Sequence, residues 1–157
     1  MPSPQDKHVP GSYSLEEILS QPQCWTATFE ELRQQKTLES VTKRFAQAAE
    51  WLFIGCGSSY YVALSAAATM ARLTGLRARA LPASEILLYP DSVPPVTGAV
   101  VPVLISRSGL TSEAVAAADV LKSRGISSLA ITCASGQPLQ EVASETILLA
   151  RADEKAP

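Results

Sequence analysis

Residues 54–60 read IGCGSSY, and residues 105–113 read ISRSGLTSE. Each segment follows an apolar, strand-like run and precedes a helix-like run, with glycines and hydroxyl side chains in the turn between them. Free backbone N–H groups at a helix start, together with the helix dipole, favour negative charge there. Serine and threonine hydroxyls add hydrogen-bond donors without bulk. Two such turns in one small domain predict one anionic ligand held from two sides, most simply a phosphorylated small molecule.

Apolar runs of strand length alternate with helix-like segments through the rest of the chain. The pattern predicts strands at 51–54, 76–81, 99–105, 126–132 and 146–149. It predicts helices between them at 58–73, 84–88, 111–123 and 138–144. A repeated strand–helix–strand order indicates parallel strands joined by right-handed crossovers. Ligands of such sheets bind at the carboxyl ends of the strands, and both hydroxyl-rich turns lie at such ends.

The N-terminal part differs from the alternating part. Residues 1–13 are rich in proline and polar groups and are predicted to form a mobile leader. Ser14 and Glu17 have the spacing of a capping box, so a short helix is expected to begin there and to end near Pro22. Residues 26–49 are predicted to form one longer helix with a single apolar face.

Composition excludes several classes of protein. The chain has 157 residues, 46% of them hydrophobic, which suits one folded domain. A net charge of −2 without a basic block argues against a nucleic-acid partner. No apolar run suits a membrane span, and no signal sequence is found at the start. Three cysteines at positions 24, 56 and 133 have no C-x-x-C spacing, which predicts a reducing cytoplasm, no disulfide framework and no metal site.

The two turns resemble those of the sugar isomerase (SIS) phosphosugar-binding domain. Residues 106–111, SRSGLT, match the family's S-x-S-G-x-T signature. Residues 55–60, GCGSSY, look like the G-C-G-[ST]-S-Y turn of the isomerase half of glucosamine-6-phosphate synthase and of the AgaS-type ketose/aldose isomerases and deaminases. Residues 15–22, LEEILSQP, are similar to the E-I-x-x-Q-P entry helix of that branch, and the resemblance extends over residues 15–154.

The resemblance implies an α/β fold: a three-layer αβα sandwich with a five-stranded parallel sheet, flavodoxin-like, forming a single SIS domain over residues 14–157. It implies a sugar phosphate whose phosphate group is bound by Ser106, the main chain of Arg107, Ser108 and Thr111. No cofactor is implied. The candidate substrate-binding residues are Cys56, Gly57, Ser58, Ser59, Ser106, Arg107, Ser108 and Thr111.

Enzymes of the branch that this chain resembles carry two SIS domains in tandem, and the chain matches the first of them. The family's catalytic carboxylate, ring-opening histidine and C-terminal lysine lie in the second domain, so no catalytic residue is assigned here. The expected ligand is a hexose or amino-hexose 6-phosphate of amino sugar metabolism. Catalysis by this chain stays open; an active chain would be an aldose–ketose isomerase or a deaminase.

Simpler interpretations of single residues remain open. Serine and threonine cap helices whether or not a ligand binds. Helix capping is therefore the alternative to ligand binding for the hydroxyl groups of both turns. The GxG spacing suggests a dinucleotide site, but Tyr60 occupies the third glycine position and the second strand is not followed by an acidic residue. Cys56 is interpreted as a small buried residue rather than a nucleophile, because the only histidine is His8. The Arg107 guanidinium either pairs with phosphate or faces solvent or another subunit, and Glu85 either holds sugar hydroxyls or caps a helix.

Two other functions compete with that of an isomerase-type domain. One is a stand-alone sugar-phosphate sensor without turnover, and the other is a fragment of a tandem-SIS isomerase. We expect a homodimer formed through the helix at 26–49 and the alanine-rich helix after residue 58, because an unpaired domain leaves apolar helix surface to be covered. A second SIS domain on another chain is the alternative partner.

Overall fold

The computed structural model describes residues 11–93 and 100–153, which contain a five-stranded, all-parallel sheet in the order β2-β1-β3-β4-β5. The strands are β1 Glu50–Gly55, β2 Arg77–Pro82, β3 Val100–Ile105, β4 Leu129–Thr132 and β5 Glu145–Leu148. The helices are α1 Ser12–Gln34, α2 Thr37–Arg44, α3 Ser58–Thr74, α4 Ala83–Leu88, α5 Ser112–Ser123 and α6 Pro138–Val142. From β1 onwards every predicted strand and helix is present, with ends that differ by up to three residues.

Helices cover both faces of the sheet, which confirms the three-layer α/β architecture. On one face, Leu52 and Leu104 of the central strands pack against α4, α5 and α6. On the other face, Phe53 and Val103 pack against α2 and α3. Side chains therefore alternate between two cores along each strand, as a sheet buried on both sides requires.

The N-terminal prediction was wrong in its division into helices. Instead of a break at Pro22, α1 runs unbroken through this proline for 23 residues. The chain breaks later, at Lys36, whose φ of 54° is left-handed, and α2 is short. Helix α1 lies on the surface, where a proline interrupts one exposed hydrogen bond rather than a packed core. Among the described residues, no helix is long and apolar enough to cross a membrane.

The expected leader at residues 1–13 falls mostly outside the described residues, but α1 already begins at Ser12. The single apolar face expected over 26–49 is also divided. Val41 and Phe45 are buried, whereas Phe29 and Leu38 are exposed. The break at Lys36 rotates α2 relative to α1. The apolar residues of the two helices therefore do not share one face, and only those of α2 are buried.

Pro102 lies fully buried in the central strand β3, a position that proline rarely occupies. Strand β4 pairs with β3 only from Val103 to Ile105. Strand β3 is therefore not paired with β4 at Pro102. The N–H group that proline lacks would have no hydrogen-bond partner on β4 at this position.

The chain reverses its direction of sheet growth between β1 and β3. From β1 it crosses to β2 on one side and then returns to β3 on the other side of β1. Gly55 at the end of β1 is in register with Ile105 at the end of β3. The two hydroxyl-rich turns thus leave neighbouring strands at the same level, at the crevice where parallel sheets bind their ligands.

Candidate functional site

The first turn is held in shape by its two glycines. A Cβ on Gly55 would lie 2.5 Å from the backbone carbon and oxygen of Ser59, so only glycine lets the chain fold back this tightly. Gly57 adopts φ 52° and ψ −126°, a backbone conformation that side chains disfavour. Helix α3 begins directly afterwards at Ser58. The Ser59 N–H donates to the Cys56 carbonyl at 3.0 Å and the Tyr60 N–H to the Gly57 carbonyl at 3.1 Å, so part of this helix start is already bonded within the turn.

Ser58 and Ser59 do not cap α3: among the described residues, no side chain forms a hydrogen bond at the N-cap of this helix. Ser58 is exposed and Ser59 is half-buried. The capping alternative therefore does not account for these two hydroxyls, and they are placed where a ligand at the helix start would meet them.

The second turn is a compact network of hydroxyl groups. Ser106, which is buried, accepts a hydrogen bond at Oγ from the Gly109 N–H at 3.2 Å. The same Oγ lies 3.1 Å from Thr111 Oγ1. Ser108 Oγ accepts from the Leu110 N–H at 3.2 Å. Part of the hydroxyl content of this turn thus stabilises the turn itself.

These internal bonds leave donors for a ligand. A hydroxyl that accepts from an N–H keeps its own O–H, so Ser108 can still donate. Ser106 and Thr111 share one O–H between them, which leaves one more hydrogen to donate. Thr111 is the N-cap of α5, and no side-chain hydrogen bond occupies that cap within the described part of the chain. An anion at this helix start would meet two O–H donors and the first N–H groups of α5.

Residues at the end of β4 and after it form hydrogen bonds to the main chain of the second turn. The Arg107 carbonyl accepts from the Cys133 N–H at 2.9 Å and from Thr132 Oγ1 at 3.1 Å. The Leu139 N–H donates to the Gly109 carbonyl at 3.2 Å. Sequence reasoning missed these contacts, although Cys133 follows a parallel strand and its position at the same sheet edge could have drawn attention to it.

A cavity of about 420 Å³ lies beside the two turns, on the α3 face of the sheet. Ser58, Ser59 and Arg107 contribute its polar wall. Arg107 is exposed and lines this cavity. The apolar wall consists of Phe53, Val62, Ala66, Ile105, Ile131 and Leu149. The two hydroxyl-rich turns thus adjoin a space large enough for a small organic molecule.

Cys56 is half-buried below the first turn and packs against the core. Burial, and then a hydrogen bond and charge repulsion from Glu113, raise the pKa of the Cys56 thiol to about 11. At neutral pH this thiol is therefore protonated and a poor nucleophile. The interpretation of Cys56 as a small packing residue agrees with this environment.

One further candidate, Glu85, lies within the described residues. Glu85 lies half-buried in α4 and does not line the cavity beside the turns. His8 lies outside the described residues. Within the described ranges, no group of three or more His, Cys, Asp or Glu side chains is arranged to hold a metal ion.

The family model of the SIS domain matches residues 44–157 of this chain. This match covers most of the chain, from the end of α2 onwards, and includes both hydroxyl-rich turns. The chain belongs to the SIS domain family. The family resemblance carried by the S-x-S-G-x-T and G-C-G-S-S-Y segments is thereby confirmed.

A curated relative is glutamine–fructose-6-phosphate aminotransferase (isomerizing) of Aeropyrum pernix, 30% identical over 137 residues. The match covers 87% of this chain and 22% of the archaeal enzyme. The chain thus spans about a fifth of that relative.

Solved structures show the same fold. The C-terminal domain of glucosamine-fructose-6-phosphate aminotransferase from Francisella tularensis superposes with a TM-score of 0.78 at 23% identity, covering 98% of this chain and 42% of that one. Glucosamine-6-phosphate deaminase from Thermotoga maritima gives a TM-score of 0.64 at 29% identity, covering 88% and 40%. This chain therefore spans less than half of either structure.

Proposed function

We propose that this domain binds a hexose or amino-hexose 6-phosphate, with the phosphate group at the starts of α3 and α5. The register of Gly55 with Ile105 is the observation that carries the proposal. It brings two helix starts and the two hydroxyl-rich turns to one crevice. A phosphate there receives N–H donors from the start of α5 and O–H donors from serine and threonine, while both helix dipoles favour its charge.

The proposed phosphate contacts are the hydroxyls of Ser106, Ser108 and Thr111 with the main chain around Arg107. Ser58 and Ser59 contact the phosphate or sugar end from the opposite side, and Cys56 and Gly57 shape the first turn. The sugar extends into the cavity of about 420 Å³ beside the turns. The names of the Aeropyrum and Thermotoga relatives contain hexose 6-phosphates, which supports this ligand class.

Binding and orienting a substrate does not by itself move a proton between two sugar carbons. Among the described residues that line the cavity beside the turns, none is a carboxylate or a histidine. We therefore assign substrate binding to this domain and leave aldose–ketose isomerisation or deamination to groups supplied from elsewhere, such as a second SIS domain. A sensor that binds without turnover is the competing function. A measurable turnover of fructose 6-phosphate or glucosamine 6-phosphate by this chain would favour the enzyme.

Phosphorylated sugars are expected to stabilise the fold, whereas their unphosphorylated counterparts are not. A ligand at about one hundred times its dissociation constant adds about 2.7 kcal/mol to the free energy of unfolding. For a domain of this size the melting temperature then rises by roughly 5–10 °C. The measurement is a thermal-shift series with glucosamine 6-phosphate, fructose 6-phosphate, glucosamine and fructose at matched concentrations. Equal shifts for glucosamine and glucosamine 6-phosphate would contradict the proposal.

Several other features belong to the same proposal. We treat α1 as part of a single domain over residues 14–157, because Cys24 and Glu31 of α1 both bond to Arg151. All three cysteines are described and none is in a disulfide bond, which suits a cytoplasmic location. The partner in assembly is a second copy of the chain, with a second SIS domain on another chain as the alternative.

A further inference from the structure

The main-chain carbonyl of Arg107, in the second turn, is surrounded by three hydrogen-bond donors. The N–H groups of Cys133 and Ala134 donate to it at 2.9 and 3.2 Å, and Thr132 Oγ1 donates at 3.1 Å. A carbonyl oxygen has two lone pairs, so three donors fill its capacity and fix its direction. All three donors belong to the end of β4 or to the residues that follow it. The Arg107 carbonyl therefore points towards β4.

The direction of this carbonyl also sets the direction of the next N–H group. A trans peptide unit is planar, so the Ser108 N–H points away from the Arg107 carbonyl. Strand β3 lies between β4 and β1 in the sheet. A Ser108 N–H that is directed away from β4 is therefore directed towards the first turn, which follows β1. The space between the two turns is where the proposed function places the phosphate group.

The Ser108 N–H donates to no protein acceptor within the described part of the chain. The N–H groups that follow it are engaged inside the turn. Gly109 donates to the carbonyl and the Oγ of Ser106, each at 3.2 Å, and Leu110 donates to Ser108 Oγ. Ser108 is half-buried, and a main-chain N–H in such a position needs an acceptor from water or a ligand. Ser108 thus offers both its N–H and its O–H to an anion.

Thr132 supplies the one side-chain donor among these three, and it is only 1% exposed. Its hydroxyl has a second acceptor in reach, the Ala134 carbonyl at 3.4 Å, but the Arg107 carbonyl at 3.1 Å is closer. Because a hydroxyl has one hydrogen, the shorter contact is the one that it favours. A Cβ on Gly109 would lie 3.1 Å from the same Oγ1. Thr132 therefore packs directly against the second turn.

We propose that Thr132 is a positioning residue for the phosphate site: its buried hydroxyl holds the Arg107 carbonyl towards β4 and thereby directs the Ser108 N–H at the phosphate group. Thr132 does not line the cavity beside the turns, so it acts through the peptide that joins Arg107 to Ser108. The inference rests on the proposed function, because it needs a phosphate between the two turns. The other two donors are main-chain groups, so the hydroxyl is the donor that a substitution can remove.

A purely structural role of the Thr132 hydroxyl predicts a different result. In that case its loss lowers the melting temperature and leaves the affinity of the folded chain for a sugar phosphate unchanged. A positioning role predicts that the folded chain loses affinity. It also predicts that a serine at position 132, which keeps the hydroxyl and lacks only the methyl group, retains most of the affinity.

The first test is isothermal titration of glucosamine 6-phosphate into the wild type and three variants. Thr132→Val keeps the shape of the side chain without its hydroxyl, and it is expected to raise the dissociation constant about three- to tenfold. Thr132→Ser is expected to bind nearly as tightly as the wild type. Thr42→Val is the matched control, because its hydroxyl also donates to a main-chain carbonyl, that of Leu38 at 2.7 Å, on a helix that does not line the cavity. Circular dichroism verifies that each variant is folded.

The Ser108 amide in 15N-labelled chains supplies the second measurement. Saturation with glucosamine 6-phosphate is expected to shift this amide in the wild type and in Thr132→Ser, and to shift it less in Thr132→Val. The positioning role is overturned, while sugar-phosphate binding stands, if either the affinity or the Ser108 shift of Thr132→Val equals that of the wild type. Equal losses in Thr132→Val and Thr132→Ser overturn it as well, since the hydroxyl would then not be the determinant. A wild type that does not bind refutes the proposed function, and the role of Thr132 with it.

Discussion

Replacing Ser108 and Thr111 together with alanine is expected to weaken sugar-phosphate binding by roughly a hundredfold or more. Each hydroxyl supplies a charge-assisted hydrogen bond to the phosphate, on the order of 1.5–3 kcal/mol. Loss of about 3 kcal/mol corresponds to roughly two factors of ten in the dissociation constant. Isothermal titration with glucosamine 6-phosphate measures the effect.

The fold should survive this double substitution. Ser108 Oγ accepts only from the exposed Leu110 N–H, which water can satisfy, and Ser106 keeps its bond from Gly109 when Thr111 is shortened. A lost cap costs about 1 kcal/mol of stability. Ser123→Ala is the matched control, because its hydroxyl bonds to the Val120 carbonyl at the far end of the same helix. Unchanged affinity in the folded double variant would refute the assignment of the second turn to phosphate.

Gly55→Ala is expected to cause the largest loss of stability among single substitutions near the site. Its new Cβ would lie 2.5 Å from backbone atoms of Ser59 and 2.7 Å from the Tyr60 nitrogen. Backbone at the start of α3 cannot yield as a flexible side chain does, so the cost is roughly 3 kcal/mol. The melting temperature then falls by about 6–12 °C in calorimetry.

Gly75→Ala provides the comparison. Gly75 has φ 71° and no atom within 4 Å of a new Cβ, so its substitution carries backbone strain without overlap. That strain costs about 1–2 kcal/mol. If Gly55→Ala loses no more stability than Gly75→Ala, the first turn can relax around the new Cβ. The close approach of β1 to α3 would then not determine the shape of the first turn.

The parallel sheet and the placement of both hydroxyl-rich turns at one edge of it were predictable from the sequence. Strand-length apolar runs alternate with helices, and the residues that follow β1 and β3 include glycines and hydroxyl types whose spacing is local information. Because parallel strands end at one edge, local spacing also places both turns at that edge. The family resemblance predicted the class of ligand, a sugar phosphate. The match to the family model shows the type of domain, an SIS domain.

Features that depend on tertiary contacts were not predictable. Pro22 looked like a helix end, yet α1 continues through it, and beyond it Cys24 and Glu31 bond to Arg151, which is distant in sequence. The bond between Cys56 and Glu113 joins the two turns across 57 positions of sequence, and no local pattern signals it. The support of the Arg107 carbonyl by Thr132 and Cys133 likewise requires β4 to lie beside β3. A local sequence pattern predicts which face of a helix or strand is apolar and where that helix or strand ends. The contacts named here depend instead on which helices and strands become neighbours in the fold.

Amide chemical shifts during a titration with glucosamine 6-phosphate test the central claim most directly, since they report both binding and its location. In a 15N-labelled chain, saturable shifts are expected for the amides of residues 56–60 and 106–113, where the two helix starts meet the phosphate. Glucosamine at the same concentrations should leave these amides unchanged. Shifts confined to other parts of the chain, or no saturable shift with the phosphorylated sugar, would contradict the account.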